Sequence, residues 1–367
     1  MRNFTIAAGC GAIIACLIPV AVATAQPSLD PPPGPISLSG RFGPRTEITS
    51  IPITITNAGS YYLSQNLTGV SGMHGISVDA SDVTIDLNGF ALEGVAGSLD
   101  GIRFASTQRN LAVYNGSVVS WGSRGINLTN GSNCTLESLR VAQCGNDGIR
   151  TANGTSIRHC VSEANGSDGI VGPGTTIMSC VARNNGEDGI EIGTGGVMFN
   201  CTAEGNANRG IASASRNTIT SCTSRSNGEG IVLFDGCTLI GSTASDNTAS
   251  GIVAIDGSHV RNNTSQFNGV HGIQVDNDCL VIGNLCDRNG QDSANGAGIF
   301  ANANSNRIDG NHVTGNDVGI FVSSTVSAIV RNSASGNTTN YSITAGNQVG
   351  PMTDASVIAS PWANLDY

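Results

Sequence analysis

Acid–base chemistry needs paired carboxyls, and this chain repeats them at one fixed position, immediately before a recurring Gly-Ile dipeptide. That position reads His74, Asp100, Arg124, Asp147, Asp168, Asp188, Arg209, Glu229, Ser250 and His271. If successive repeats stack, Asp147, Asp168 and Asp188 form a row flanked by Arg124 and Arg209. Neighbouring carboxyls at strand spacing lie ~5 Å apart and the outer two ~10 Å apart, which brackets the separations used in retaining and inverting glycoside hydrolysis. Like charges held that close raise one another's pKa and keep a proton available near neutral pH. The same row can chelate Ca²⁺ that bridges to an acidic sugar, so calcium is the one cofactor the pattern leaves open. The competing reading is structural: an Asp before Gly in a tight turn bonds nearby backbone, and Arg at both ends makes a solvated charge ladder.

The residue after each Ile faces outward by strand alternation. In the N-terminal repeats this places Arg103 and Arg150 beside Asp100, Arg124 and Asp147. Arg103, Arg124 and Arg150 are therefore the candidate substrate-binding residues, able to hold a sugar carboxylate bidentately. Further along, Val232, Val253, Phe300 and Phe321 make an apolar strip in the same row. Glu229, Ser250 and His271 also share a row, but Ser stands between the acid and the base, an order no Ser-His-acid relay can use.

These residues are positioned by a repeat. The Ile of Gly-Ile falls at 76, 102, 126, 149, 170, 190, 211, 231, 252, 273, 299 and 320, in steps of 20 to 26 residues. Short alternating segments bounded by Asn and Gly read as strands, and no window sustains a helical period. The pattern predicts an all-β solenoid, a right-handed parallel β-helix of about twelve coils with three short strands per coil and terminal caps. Interior rows are aliphatic, as in Leu136, Ile157, Ile177, Met198, Ile219 and Leu239. A turn row of Asn165, Asn185, Asn206, Asn227, Asn247, Asn268, Asn289, Asn316 and Asn337 predicts an asparagine ladder, with Asn also supplying the left-handed backbone of the bend. Cys160, Cys180, Cys201 and Cys222 share one row and Cys134, Cys237 and Cys279 another; without a CxxC or His-linked pair they read as stacked small thiols rather than a zinc site.

Composition narrows the partners. All seventeen basic residues are Arg against 27 acidic ones, for a net charge of -10, which excludes a phosphate-tracking nucleic-acid binder. Residues 1–25 read as an export signal, with Arg2, an apolar run from Phe4 to Ala23, and Ala23-Thr24-Ala25 before Gln26. No later segment is apolar enough to span a membrane. A proline-rich linker follows at 26–40, then an N-terminal cap at 41–60, the β-helix at 61–345 and a C-terminal cap at 346–367, where Trp362 and Tyr367 are expected to cover the open end. This organisation predicts a secreted, periplasmic or cell-surface location.

From about Gly59 onward the sequence resembles the pectin-lyase-like superfamily of right-handed parallel β-helices. The likeness rests on Ala58-Gly59-Ser60-Tyr61-Tyr62-Leu63, on Val83-Thr84-Ile85-Asp86-Leu87-Asn88-Gly89-Phe90, on the repeated Asn-Gly-x-Asp-Gly-Ile, and on Ser360-Pro361-Trp362-Ala363-Asn364. The resemblance implies the fold and an extended polysaccharide partner, cleaved or epimerised by most characterised members. The chain departs from the enzymes' motifs: the Asn-Thr-Asp, Gly-His-Gly and Arg-Ile-Lys of polygalacturonases, the Arg-x-Pro-x-x-Arg of pectate lyases and the Asp-Pro-His-Asp of mannuronan epimerases do not occur. Polysaccharide binding with processing by Asp147, Asp168 and Asp188 is thus one expectation, and a non-catalytic surface or adhesive module is its rival.

Overall fold

A computed structural model describes residues 44–290, 296–354 and 360–367; the expected signal and linker lie outside the described residues. Every strand pairing is parallel, and each coil contributes three short strands to the stack. One coil shows the plan. Strand Ile170–Gly172 turns at Gly174 into Thr176–Met178, Ser179 bends the chain into Val181–Arg183, and Asn184 bends it back toward Gly189 and Ile190. Ile170 pairs with Ile190, Ile177 with Met198 and Ala182 with Ala203, so the spacing in sequence becomes register in space.

The sheet that carries the Gly-Ile isoleucines has fourteen strands, from Ile53–Ile55 to Thr339–Ile343. There are thus about fourteen coils rather than twelve. The two extra ones enter the stack through Ile53, paired with Ile76, and Tyr341, paired with Ile320, neither of which follows a Gly. The interior is a continuous aliphatic column: Ile76, Ile102, Ile126, Ile149, Ile170 and Ile190 are all fully buried. Trp121, also buried, is the largest core side chain, and its indole Nε1 donates to the Leu92 carbonyl at 3.1 Å.

The Gly of each Gly-Ile has a steric cause. A Cβ on Gly169 would lie 2.5 Å from the Gly189 carbonyl oxygen and 2.6 Å from Asn185 Nδ2. From Gly148 onward the asparagine ladder presses on that position, and in the earlier coils Trp121, Val118 and Val141 fill the same space. Along the ladder, Asn185 Nδ2 donates to Asn206 Oδ1 at 2.9 Å and Asn206 Nδ2 to Asn227 Oδ1 at 2.9 Å, while each Asn Oδ1 also accepts a backbone N–H from the coil before. Buried amides are satisfied in this way coil after coil.

The ladder asparagines do not themselves adopt the left-handed backbone. That role falls to the residue before each one, Asn184, Gly205, Ser226, Asp246, Phe267 and Arg288 among them. An inward amide that must meet its neighbours leaves the reversal of direction to the adjacent position. The second corner repeats the device: Cys201 N–H donates to Cys222 Sγ, Cys222 N–H to Ser242 Oγ and Ser242 N–H to Asn263 Oδ1, a series that ends at Asn364. Among the described residues nine cysteines are buried as free thiols.

Trp362 and Tyr367 are 52% and 56% exposed and do not seal the end of the stack. The final strand, Asn364–Asp366, instead pairs beside Ser333–Ser335 and Met352–Thr353. No helix among the described residues is long and apolar enough to cross a membrane.

Candidate functional site

The row before Gly-Ile runs along the edge of the fourteen-stranded sheet, and its aspartates belong to the backbone as much as to the surface. Asp100 Oδ1 accepts the Arg124 N–H at 3.1 Å, Asp168 Oδ1 the Asp188 N–H at 2.9 Å, and Asp188 Oδ1 the Arg209 N–H at 2.9 Å. Each caps the next coil at the same point, a sufficient reason for an acid in that position.

Asp147 departs from its neighbours. Its Oδ2 accepts Arg124 Nε at 2.8 Å and Arg150 Nε at 2.6 Å, and the residue is 2% exposed. Burial opposes its ionisation, but the hydrogen bonds and charges of the two arginines outweigh burial and hold its pKa below the usual carboxylate range. Asp168, one coil on, has the opposite balance. Burial pushes its pKa up to about 6; the bond from the Asp188 N–H opposes this, and the charges of Asp147, Asp188 and Glu191 add to it. Arg150 Nη2 stays 3.7 Å from Asp168 Oδ2, too far for a hydrogen bond. Burial also raises Asp188, against the Arg209 backbone bond, the Arg209 charge and an Asn208 amide at 2.8 Å.

The arginines divide likewise. Arg124 and Arg150 both turn onto Asp147, with side chains about one-third exposed. Arg103 donates from Nε to Ser77 Oγ at 3.3 Å, two coils from Asp147 and apart from that cluster. Arg209, not among the residues expected to bind substrate, sits 3.9 Å from Asp188 and 3.8 Å from Glu229, and its buried Nε has no hydrogen-bond partner among the described residues. Burial raises the Glu229 pKa.

Three clefts follow one another on this sheet's outer face. The first has a volume of about 330 Å³ and is lined by Thr54, His74, Ser77 and Arg103; the second, of about 420 Å³, by Thr129, Arg150, Val171 and Glu191. The third, of about 210 Å³, is lined by Asp168, Glu187, Asp188, Glu191, Arg209 and Phe234. Thr54, Ser77, Arg103, Asn127, Arg150, Val171, Glu191 and Ala212 occupy one outward row by strand register. Glu191 therefore borders two clefts, beside Asp168. Its signal in sequence is only that it follows Ile190 and stands three residues after Asp188.

Among the described residues no group of three His, Cys, Asp or Glu side chains is arranged to hold a metal ion. In the Asp row, Asp147 is committed to arginine and the Oδ1 atoms of Asp168 and Asp188 to backbone N–H groups, so the oxygens left for a calcium ion are few. Farther along the outward row, Phe300 and Phe321 stack with centroids 5.0 Å apart, and His271 leans on Phe300 at 4.7 Å.

Parallel strands, three bends per turn and amide ladders at the corners define a right-handed β-solenoid whose one flank carries a line of charged clefts. The chain belongs to the right handed beta helix region family, whose model matches residues 52–214, 171–268 and 214–338. Among solved structures it is similar to the Dettilon tailspike protein, with a TM-score of 0.54 and 16% identity over 70% of this chain and 61% of that one. The chain thus spans less than two thirds of the tailspike's length. It is also similar to the A-module of a mannuronan C-5 epimerase from Azotobacter vinelandii, with a TM-score of 0.48 and 15% identity over 84% of this chain and 91% of that one. At these identities the likeness shows the fold alone. No curated protein sequence matches the chain.

Proposed function

We propose that this protein is exported and binds an extended polysaccharide along the outer face of its fourteen-stranded sheet, with Asp168 as the proton-carrying group of the site. One observation carries the reading: three clefts open in line on a single outward row, and a carboxyl with a raised pKa, Asp168, lines the third. A linear row of clefts suits a linear polymer, since sugar units and coils both advance by ~5 Å. The tailspike, epimerase and pectate lyase among similar structures fit a polysaccharide ligand without specifying a reaction.

Asp168, with a pKa of about 6, keeps part of its proton near neutrality and can donate it to a glycosidic or ring oxygen. Glu191, at the mouth of the same cleft, is the partner carboxylate for activating water or withdrawing a proton. Asp147, held ionised by Arg124 and Arg150, is a poor acid and serves to fix those arginines. A non-catalytic binding module is favoured by the backbone hydrogen bonds that already occupy Asp168 and Asp188.

Incubating the protein with neutral, uronate and amino-sugar polymers, with and without Ca²⁺, separates the readings. Product that disappears in Asp168→Asn supports catalysis, and loss of product on chelation adds calcium to it. Binding without product supports the module. Absence of both sinks the proposal.

A further inference from the structure

The third cleft specifies the charge of the sugar that occupies it. We infer that the unit bound beside Asp168 is uncharged, a neutral sugar recognised through its hydroxyls, and that Arg209 is the residue that selects it. The inference rests on the polysaccharide reading and deepens it.

Charge balance is the first argument. Asp168, Glu187, Asp188 and Glu191 line the cleft, and Arg209 is the one cation among its described lining residues. That guanidinium already lies between Asp188 at 3.9 Å and Glu229 at 3.8 Å, so its charge is shared by two carboxylates. Arg124 and Arg150, the nearest cations toward the N-terminus, are bonded to Asp147 at 2.8 and 2.6 Å. No positive charge is left over here for a sugar carboxylate or sulfate, and four acids would repel it.

Hydrogen-bonding capacity is the second. The Arg209 guanidinium makes no side-chain hydrogen bond among the described residues: its Nη1 stays 3.9 Å from Asp188 Oδ2 and its buried Nε 3.8 Å from Glu229 Oε2, whereas Arg124 and Arg150 place their Nε on a carboxylate. The Arg209 side chain is about one-third exposed and lines the cleft, so its terminal N–H groups can donate to a ligand oxygen there without giving up a hydrogen bond. A sugar hydroxyl supplies that oxygen without bringing charge. Its own O–H, and those of its neighbours, can donate to Glu187 and Glu191 across the cleft. An amino sugar would satisfy the acids but would set its ammonium against Arg209.

An array of neutral, uronate, sulfated and amino-sugar oligosaccharides tests this, with affinities of the leading ligands measured by calorimetry. The expected result is that neutral oligomers bind tightest, by about tenfold over uronate or sulfated counterparts of the same linkage. Their affinity should change little between about 0.05 and 0.5 M salt, because no net charge is exchanged. Arg209→Gln should weaken the neutral ligand about tenfold, and Glu191→Gln should narrow the gap between neutral and acidic ligands. Preferred binding of an acidic or amino oligomer, or unchanged affinity in Arg209→Gln, would overturn the inference and leave polysaccharide binding standing. No binding to any class would overturn both.

Discussion

Asp147 and Asp168 occupy the same place in successive coils, yet their surroundings assign them opposite behaviour. Asp147 is closed off by two arginines that share one of its oxygens; Asp168 has a backbone N–H, three nearby acids and a guanidinium just beyond hydrogen-bond reach. A repeat supplies the position, and the side chains of adjacent coils decide whether the position is structural or chemically poised. In a solenoid, therefore, a functional group is found by its departure from the row it belongs to.

The largest effect should come from Asp147→Asn. It leaves two guanidiniums without their carboxylate in a region where the acid is buried. Because both arginines retain contact with water, the loss of stability is about 2 kcal/mol rather than the full cost of breaking a buried pair, measured by urea unfolding at pH 7. A loss below about 0.5 kcal/mol would make this cluster a solvated ladder and erase the contrast with Asp168.

Asp168→Asn should act in the other direction. The folded pKa of about 6 lies above the ordinary 3.8, so the folded state holds the proton more tightly than the unfolded chain. The associated stability is fully present below about pH 3.8 and is lost as pH rises through 6. At pH 8 the amide should therefore stabilise the protein by about 1 kcal/mol, and at pH 3.5 it should be close to neutral. Asp147 has the reverse dependence: its folded pKa is lowered, and its contribution is present above the ordinary value and disappears as pH falls through the folded one. Comparing the two variants across pH separates the coils in one experiment.

If the protein turns over a glycan with Asp168 as acid, the wild-type rate should fall above about pH 6, and Asp168→Asn should form no product at any pH. The smallest effect on stability belongs to Glu191→Gln. Its side chain is exposed at the cleft mouth, so unfolding should change by less than about 0.5 kcal/mol while ligand affinity moves.

Much of this was legible from residue spacing. Gly-Ile at 20 to 26 residues requires a solenoid, and the strand register puts Asp147, Asp168 and Asp188 on one line as the spacing implies. The ends were less legible because the first and last coils use Ile53 and Tyr341 without the preceding Gly that marks the repeat. The corners were misassigned for a related reason: their left-handed residues include His159, Phe267 and Arg288, types that carry no turn signal, because the ladders on either side impose the bend.

Within the site, spacing fixes which residues are neighbours and is silent on where long side chains turn. Arg150 could reach outward or back three residues to Asp147, and only the competing acids in three dimensions decide it. Arg209 was seen only as a flank of the aspartates, since its lack of a partner is a property of packing.

The most direct test is a side-chain carbon NMR titration of Asp147 and Asp168 in the wild-type protein, assigned with the two Asn variants. Asp168 is predicted to titrate near pH 6 and Asp147 below the ordinary aspartate range. A common midpoint near 3.8 for both would contradict the account, because the two coils would then be chemically alike.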